Sequence, residues 1–356
     1  MLRVEVLNRQ SPMDKFHLGC LQTPEMKKCL HEAGVEMRFS PRTEYFTPDV
    51  DVAAVCLRRD DKEKYESILE KALSLPRHVP ILMWDWSDFA DVSRRERKCL
   101  LCYRVSGIYK SKLFRDLSFY RRANPKLNDQ WEQPGEHHRI FRRLCPDLYM
   151  EGDFAEPLPL DTGKLGLWPC SATWLRMQYL RENGPEDKPI DVFFAGTTNY
   201  GKTPITTHRR LCCEAMARLP DSWNVKVFDS SQQWVQQRDY FRLCLQSKIF
   251  VSPWGWGAAS YRDFESVFSA AAMIKPPAGF IRTWPDVLPS AITCNPDFTD
   301  LRERCEEVLD TWEDRREGLL RGREEILQAT TSEKVAHYLA AHFYRERENL
   351  CPESGG

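Results

Sequence analysis

The amino-acid sequence predicts an α/β protein with two Rossmann-like domains that face each other across a cleft. Strand-like and helix-like segments alternate in both halves of the chain, and the alternation restarts abruptly at Ile190 after a stretch rich in proline and charge. The length of 356 residues is enough for two hydrophobic cores. We expect an N-terminal domain over residues 1–160, a linker over 161–189 and a C-terminal domain over 190–330. Residues 331–356 are expected to form a helix that crosses back, followed by a tail.

The first half contains short apolar segments, typical of buried parallel strands, between helical patterns. Gly34 ends the first helical pattern because glycine readily takes the left-handed conformation that follows a helix. Pro76 stops the second because proline cannot continue a helix. The predicted elements are, in order, a strand at Val4–Leu7, a helix at Thr23–Ala33, strands at Val35–Phe39 and Asp51–Leu57, a helix at Glu63–Leu75, and strands at Val79–Trp84 and Cys102–Ser106.

The second half repeats the alternation, beginning with an apolar strand that ends in glycine. Its last helix is amphipathic through Val335, Leu339 and Phe343, which predicts packing across the domain boundary. The predicted elements are a strand at Ile190–Gly196, a helix at Thr207–Leu219, a strand at Val225–Phe228, a helix at Trp234–Leu245, a strand at Ser247–Val251, a helix at Tyr261–Ala271, a strand at Ala272–Lys275, and helices at Asp300–Trp312 and Ser332–Arg345.

The charge balance and the cysteine content limit which binding partners and which cellular compartment we expect. The 51 lysine and arginine residues balance 52 aspartate and glutamate residues, so no global field attracts nucleic acid, and we expect none as a partner. The sequence shows no signal peptide, and no apolar run approaches about 18 residues, which predicts no integral membrane segment. The 13 cysteines are an odd number and fit reduced thiols in the cytoplasm. Cys99 and Cys102 form a CxxC pair without a second pair at zinc-finger spacing.

The clearest chemical signal is a junction between a strand, a glycine-containing loop and a helix. Such a junction presents backbone N–H groups and the positive end of a helix dipole, which suits a diphosphate. Arg262 lies in the first helical turn, and Glu265, one turn later, points along the same face toward the position of a ribose. In the alternative interpretation these residues have only structural roles: Trp254 is a packing residue, and Glu265 is the ion-pair partner of Arg262. The candidate residues at the junction are Ser252, Trp254, Gly255, Gly257, Ser260, Tyr261, Arg262 and Glu265.

These residues belong to a wider pattern that resembles the donor-binding half of GT-B glycosyltransferases, especially the exostosin-like and spore-coat-type branches. The resemblance covers residues from about 190 to 310 and is only architectural before residue 150. It is carried by the segments Ser252–Gly257, Tyr261–Glu265, Ala272–Pro276, Thr283–Asp286 and Ile190–Thr197.

The resemblance implies a nucleotide-sugar site in the C-terminal domain and a sugar acceptor bound by the N-terminal one. It places Arg262 on the donor diphosphate and Glu265 on the ribose. Asp229, with Ser230 and Ser231, lies in a loop that can read the base. It also implies donor contacts from the first loop of this half and the helix that follows, at Gly196, Thr197, Lys202 and Arg209. The expected reaction is transfer of a hexosyl or pentosyl group from a nucleotide diphosphate sugar to a glycan or other hydroxyl acceptor.

A competing motif overlaps this loop. Gly196–Thr203 fits the P-loop pattern GxxxxGK[ST] after an apolar strand, and Asp229 ends a segment that resembles a Walker B strand. Pro204 argues against a P-loop because proline supplies no N–H to a phosphate at the start of the helix. A P-loop NTPase or kinase stays open as an alternative, as does a sugar-binding protein without catalysis.

A sugar transfer that inverts configuration needs a general base from the N-terminal domain. Asp14 and His17 lie in the loop after the first strand, where parallel sheets present ligand-binding residues. Asp85 and Asp88 are a second choice, and a retaining enzyme needs no such base. We expect no metal and no cofactor. The DxD pattern at Asp49–Asp51, which could bind a metal, leads directly into a strand. GT-B enzymes usually stabilise the leaving diphosphate with a helix dipole and basic side chains instead of a metal.

Overall fold

The computed structural model describes most of the second half of the chain and several separate segments of the first half. The described residues are 1–8, 18–41, 45–57, 70–72, 74–85, 105–117, 162–168, 177–185, 187–201, 204–233, 235–255 and 258–350.

Strands and helices alternate through the described residues. The strands are β1 (Leu2–Asn8), β2 (Val35–Pro41), β3 (Val52–Leu57), β4 (Ile81–Asp85), β5 (Val105–Lys110), β6 (Lys112–Phe114), β7 (Leu165–Leu167), β8 (Ile190–Gly196), β9 (Val225–Asp229), β10 (Ser247–Val251), β11 (Ala272–Lys275), β12 (Ile281–Thr283) and β13 (Ile292–Thr293). The helices are α1 (Pro24–Glu32), α2 (Gln178–Glu182), α3 (Pro204–Met216), α4 (Gln237–Leu245), α5 (Tyr261–Phe268), α6 (Leu301–Asp310), α7 (Trp312–Ala329) and α8 (Ser332–Leu350).

The chain divides into two compact units. The first contains the described residues up to 117, residues 162–168 and the residues from 329 onward; the second contains residues 177–328. Each unit has its own parallel sheet with helices in the connections. The predicted α/β class with two Rossmann-like units is therefore confirmed.

The sheet of the first unit has the strand order β2-β1-β3-β4-β5-β7, and every pairing is parallel. β3, in the middle of the sheet, is apolar along its whole length, as expected for a strand covered on both faces; its Val52 and Ala54 are fully buried, as is Ile81 on β4. β7 falls within the segment predicted as a linker, where a strand of three residues leaves no periodicity to detect.

The last helix of the chain, α8, belongs to the first unit. Tyr344 on α8 donates a hydrogen bond to the carbonyl oxygen of Gly34 at 3.0 Å. Glu346 on the same helix accepts one from the hydroxyl of Tyr109 on β5 at 2.9 Å. These contacts fix the helix on α1 and the sheet.

The second unit has the strand order β13-β11-β10-β8-β9, again with every pairing parallel. Counted within the unit, the order is 2-1-3-4-5 read from the β9 edge, the same as in the first five strands of the first unit. The strand order reverses between β8 and β10, and ligands of open parallel sheets bind outside the C-terminal strand ends at such a switch point. One face of this sheet packs on α6 through Phe194, Val251, Leu301 and Val308.

Several element boundaries differ from the sequence predictions. α3 begins at Pro204 rather than Thr207, because proline is well suited to the first helical position. β5 covers Val105–Lys110 rather than Cys102–Ser106, because the buried Lys110 breaks the apolar pattern by which a strand is recognised. α7 was not predicted; its surface is largely exposed, so its apolar periodicity is weak. The predicted helix Glu63–Leu75 lies mostly outside the described residues.

Among the described residues, no helix combines the length and the apolar character that a membrane span needs.

Gly34 provides a test of how the last helix is fixed. Its φ is +81°, and a Cβ at this position would lie 2.6 Å from the hydroxyl oxygen of Tyr344. Gly34→Ala therefore adds left-handed strain and a steric clash, and we expect it to lower the free energy of unfolding by about 1–3 kcal/mol. The matched control is Gly184→Ala, whose Cβ would meet nothing within 4 Å and whose φ is not positive. Urea unfolding midpoints measure both, and equal midpoints would contradict this role of Gly34.

Candidate functional site

The candidate site lies at the C-terminal ends of β8 and β10, beside the switch point of the second sheet. β10 leads into the loop that begins at Ser252, and the N–H of Ser252 still bonds to the carbonyl of Ile274 on β11 at 2.8 Å. α5 then begins at Tyr261, the residue expected from the sequence. The predicted strand, loop and helix junction is therefore present.

A buried ion pair holds this junction together. The ammonium of Lys275 at the end of β11 lies 2.8 Å from each carboxylate oxygen of Asp263 in the first turn of α5. The same ammonium donates to the carbonyl of Ala258 in the loop at 2.6 Å. Ser252 donates its hydroxyl to Asp263 at 2.6 Å, and the N–H of Ser260 donates at 2.8 Å. Both charged side chains are at most 1% exposed, so the loop is tied to the strand and the helix at once.

Two arginines converge on the C-terminal edge of the sheet. Arg209 on α3 donates through Nη1 to the carbonyl of Thr197 at 2.7 Å and through Nε to the carbonyl of Trp254 at 3.3 Å. Arg262 on α5 donates through Nη1 to the carbonyl of Ala195 on β8 at 3.3 Å. The Nε of Arg262 is buried and has no hydrogen-bond partner among the described residues.

The charges of these arginines are not neutralised locally. Within the described residues, neither Arg209 nor Arg262 forms an ion pair with a carboxylate. Burial, followed by repulsion from Arg262, lowers the pKa of Arg209 to about 10. Two adjacent guanidinium groups without a carboxylate partner among the described residues have the chemistry to bind an anion.

Two predicted glycines give the guanidinium groups room. A Cβ at Gly196 would lie 2.5 Å from Nη1 of Arg262, and a Cβ at Gly255 would lie 3.3 Å from Nη2 of Arg209. A side chain at Gly196 would therefore displace Arg262. Both glycines take part in the site by allowing close approach.

Asp229 fixes the loop that follows β8. Its carboxylate accepts hydrogen bonds from the N–H and hydroxyl groups of Thr198 and of Ser231. Partial burial would raise the pKa of Asp229, but these hydrogen bonds outweigh it and lower the pKa. The neighbouring hydroxyls of Thr197 and Ser230 lie 2.9 Å apart at the surface. The loops after β8 and β9 are joined in this way.

Glu265 has no exposed surface and accepts a hydrogen bond from the hydroxyl of Tyr240 on α4. Burial raises the pKa of Tyr240 well above its usual value, with a further contribution from Glu265. Arg262 and Glu265 do not form the ion pair that the purely structural interpretation predicted. Because Glu265 has no exposed surface, a ribose can contact it only if the side chains that cover it move.

Trp254 is 3% exposed and stacks on His208, with ring centroids 5.1 Å apart. Burial, followed by the charge of Arg209, lowers the pKa of His208 to about 3, so this ring is neutral at physiological pH. Trp254 thus forms part of the wall behind Arg209.

Several candidates lie outside the described residues: Asp14, His17, Lys202, Gly257, Asp88, Cys99 and Cys102. Asp85, the second choice of base, is buried and forms an ion pair with Lys110. The sequence patterns also passed over Tyr200, Asp263 and Lys275. A lysine at the end of the apolar strand Ala272–Lys275 is the one signal that could have revealed a buried ion pair. Among the described residues, no group of three or more His, Cys, Asp or Glu side chains can hold a metal ion.

Comparison with known sequences found no relative: no family model matches the chain, and no curated protein matches its sequence.

Comparison with solved structures found remote neighbours. One is a chain of the GtfA/B complex, 9% identical, with 83% of this chain and 57% of that chain covered and a TM-score of 0.41. The present chain therefore spans little more than half of that neighbour. A UDP-forming α,α-trehalose-phosphate synthase from Burkholderia xenovorans is 9% identical, covers 99% of this chain and 100% of that chain, and has a TM-score of 0.47. A UDP-GlcNAc 2-epimerase from Methanocaldococcus jannaschii, in complex with UDP-GlcNAc and UDP, is 8% identical, covers 97% and 99%, and has a TM-score of 0.34.

The buried ion pair gives a prediction for stability. Lys275→Met leaves the carboxylate of Asp263 buried without its cation, and we expect a loss of about 3–5 kcal/mol in the free energy of unfolding. The control is Lys248→Met, because Lys248 pairs with Asp191 at 2.7 Å where both side chains are partly exposed. That variant should lose about 1 kcal/mol or less. Chemical denaturation compares the two, and a similar small loss in both would show that Lys275 does not hold the loop.

Proposed function

We propose that this protein is a metal-independent glycosyltransferase. It moves a sugar from a nucleotide diphosphate sugar to a glycan or another hydroxyl acceptor, with the donor bound in the second unit. The proposal joins the sequence resemblance over residues 190–310 to the site at the C-terminal ends of β8 and β10.

The observation that carries the proposal is the pair Arg209 and Arg262 at the switch point of a parallel sheet, without a carboxylate partner among the described residues. A nucleotide diphosphate carries its charge on the diphosphate, and that charge grows when the bond to the sugar breaks. Fixed guanidinium groups stabilise the leaving group at this stage, which is the contribution that a metal ion makes in other enzymes. Gly196 and Gly255 leave room for the two guanidinium groups beside the backbone, and both guanidiniums would bind the phosphates.

The donor contacts follow from this placement. Arg209 and Arg262 bind the diphosphate, and Lys202 adds charge from the loop after β8. Glu265 binds the ribose in exchange for the Tyr240 hydroxyl. The remaining donor contacts, along the phosphates or at the neighbouring base, are assigned to Gly196, Thr197, Asp229, Ser252, Trp254, Gly255, Gly257, Ser260 and Tyr261.

In the proposed reaction, an oxygen of the acceptor hydroxyl forms a bond to the anomeric carbon of the sugar, and the bond from that carbon to the diphosphate breaks. The nucleoside diphosphate leaves with the electron pair. The hydroxyl proton passes to Asp14 or His17 if the reaction inverts configuration; an unperturbed imidazole, with a pKa of about 6.5, accepts a proton readily at neutral pH.

The local backbone gives no support to a P-loop NTPase. In the segment Gly196–Thr203, the N–H groups of Thr198, Tyr200 and Gly201 donate to side chains of the protein at distances of 2.9–3.1 Å. A P-loop needs its N–H groups for the phosphates. α3 also begins with Pro204, which has no N–H.

Nucleotide binding provides the first test. We expect UDP, GDP, ADP or CMP at 100 times its dissociation constant to stabilise the protein by about 2.7 kcal/mol in a thermal-shift assay. Arg262→Ala removes a charge-assisted contact worth about 1.5–3 kcal/mol and should weaken nucleotide binding at least about tenfold. Glu265→Gln should weaken it less. The control is Arg302→Ala, because Arg302 pairs with Glu306 on the exposed side of α6.

If none of the nucleotides stabilises the protein, the proposed glycosyltransferase activity is rejected. Binding that is unchanged in both site variants would place the nucleotide elsewhere. Hydrolysis of ATP with Mg²⁺ that is lost in Lys202→Ala would identify the P-loop alternative, and binding without release of nucleoside diphosphate would identify a sugar-binding protein.

The base is tested by turnover with saturating donor and acceptor in Asp14→Asn and His17→Ala. We expect one variant to lose most of its rate while binding the donor normally, because general base catalysis typically contributes about 10²–10⁴-fold. Near-parental rates in both would indicate Asp88 or a retaining mechanism.

A further inference from the structure

Tyr200 lies against Arg209 in the loop between β8 and α3. Its side chain is 36% exposed, which is high for an aromatic residue. Its backbone N–H donates to the hydroxyl of Thr206 in the first turn of α3 at 2.9 Å. The loop that carries Tyr200 is therefore tied to the helix that carries Arg209.

Tyr200 helps to fix the orientation of the Arg209 guanidinium. Nη1 of Arg209 donates to the hydroxyl oxygen of Tyr200 at 3.0 Å and to the carbonyl of Thr197 at 2.7 Å. Nε donates to the carbonyl of Trp254. The ring of Tyr200 lies 5.1 Å from the guanidinium carbon, within the range of a cation–π interaction. Three of the five N–H groups are thus used, and the two on Nη2 have no partner among the described residues.

Nη2 is also the nitrogen that faces Gly255, in the loop that begins at Ser252, since it is the atom nearest to a Cβ built on that glycine. Arg209 and Arg262 repel each other, and in the absence of other contacts Arg209 would turn away toward water. The hydroxyl oxygen and ring face of Tyr200 supply the negative charge density that keeps Arg209 in place.

We propose that Tyr200 is a positioning residue that directs Nη2 of Arg209 into the site, so that the two arginines together select a diphosphate over a single phosphate. One guanidinium is sufficient for one phosphate group, whereas two guanidiniums on separate helices, Arg209 on α3 and Arg262 on α5, match two linked phosphates. The inference deepens the proposed donor site and rests on it. It assigns the selectivity of that site to a residue that does not itself touch the ligand.

The test is a double-mutant cycle with Tyr200→Phe, Arg209→Gln and the double variant, in the full-length protein. Isothermal titration measures binding of inorganic pyrophosphate and inorganic phosphate. Tyr200→Phe keeps the ring and removes only the hydroxyl acceptor, and we expect it to weaken pyrophosphate binding about fivefold to tenfold. Phosphate binding should change by less than about twofold. In the Arg209→Gln background, Tyr200→Phe should have no further effect.

A matched control is Tyr45→Phe. Tyr45 is also an exposed tyrosine, with Lys71 over its ring at 5.5 Å, but it belongs to the first unit. This variant should bind pyrophosphate like the parent. An equal loss for phosphate and pyrophosphate in Tyr200→Phe would show a general structural effect and overturn the proposal.

Other outcomes also overturn it. Losses that add in the double variant would show that Tyr200 contacts the ligand directly, and tighter binding in Tyr200→Phe would show that the hydroxyl competes with the ligand. A parent that binds no pyrophosphate would exclude the two-arginine site. If the double-mutant cycle gives the expected result but no nucleotide binds, the proposed glycosyltransferase function is wrong and the positioning role of Tyr200 is supported. If nucleotides bind without coupling between Tyr200 and Arg209, only the role of Tyr200 fails.

Discussion

The loop of the candidate site depends on the buried ion pair between Lys275 and Asp263. Each charge alone would be costly to bury, and together they are satisfied only because Ser252, Ala258 and Ser260 complete their hydrogen bonds. Apolar side chains of similar volume would fill the same space, but apolar contacts have little directionality. The ion pair ties the described parts of the connection between β10 and α5, at Ser252, Ala258 and Ser260, to β11 and to the first turn of α5.

Holding Arg209 and Arg262 close together has an electrostatic cost. Burial and mutual repulsion both act against the charge of Arg209, and the protein offsets them with two carbonyl groups and the side chain of Tyr200. The arrangement is already formed without a bound anion, so the proposed binding of a diphosphate would need little reorganisation. Glu265 and Tyr240 form a similar closed contact next to it. In both cases a tyrosine hydroxyl bonds to a charged group that is proposed to bind the donor.

Both units place a buried lysine at the last position of a strand. Lys110 ends β5 and pairs with Asp85 at the end of β4, and Lys275 ends β11 and pairs with Asp263 at the start of α5. C-terminal strand ends present carbonyl groups and lie where connections leave the sheet. A lysine there can reach a carboxylate on a neighbouring element, and Lys275 also reaches a backbone carbonyl. In the first unit this pairing occupies Asp85, so that carboxylate is not available as a base without losing its cation.

The sequence alone determined the α/β class, the strands with continuous apolar character and the strand, loop and helix junction that contains Arg262. Those features follow from local periodicity and from the conformations of glycine and proline, which need no knowledge of distant residues. Only the tertiary structure decided the partners of the polar residues: Arg209 beside Arg262, Tyr200 against Arg209, and the burial of Glu265. Short strands such as β7 and the exposed helix α7 also emerged only there. Such contacts join residues far apart in the chain, and local patterns carry no information about which distant side chains meet.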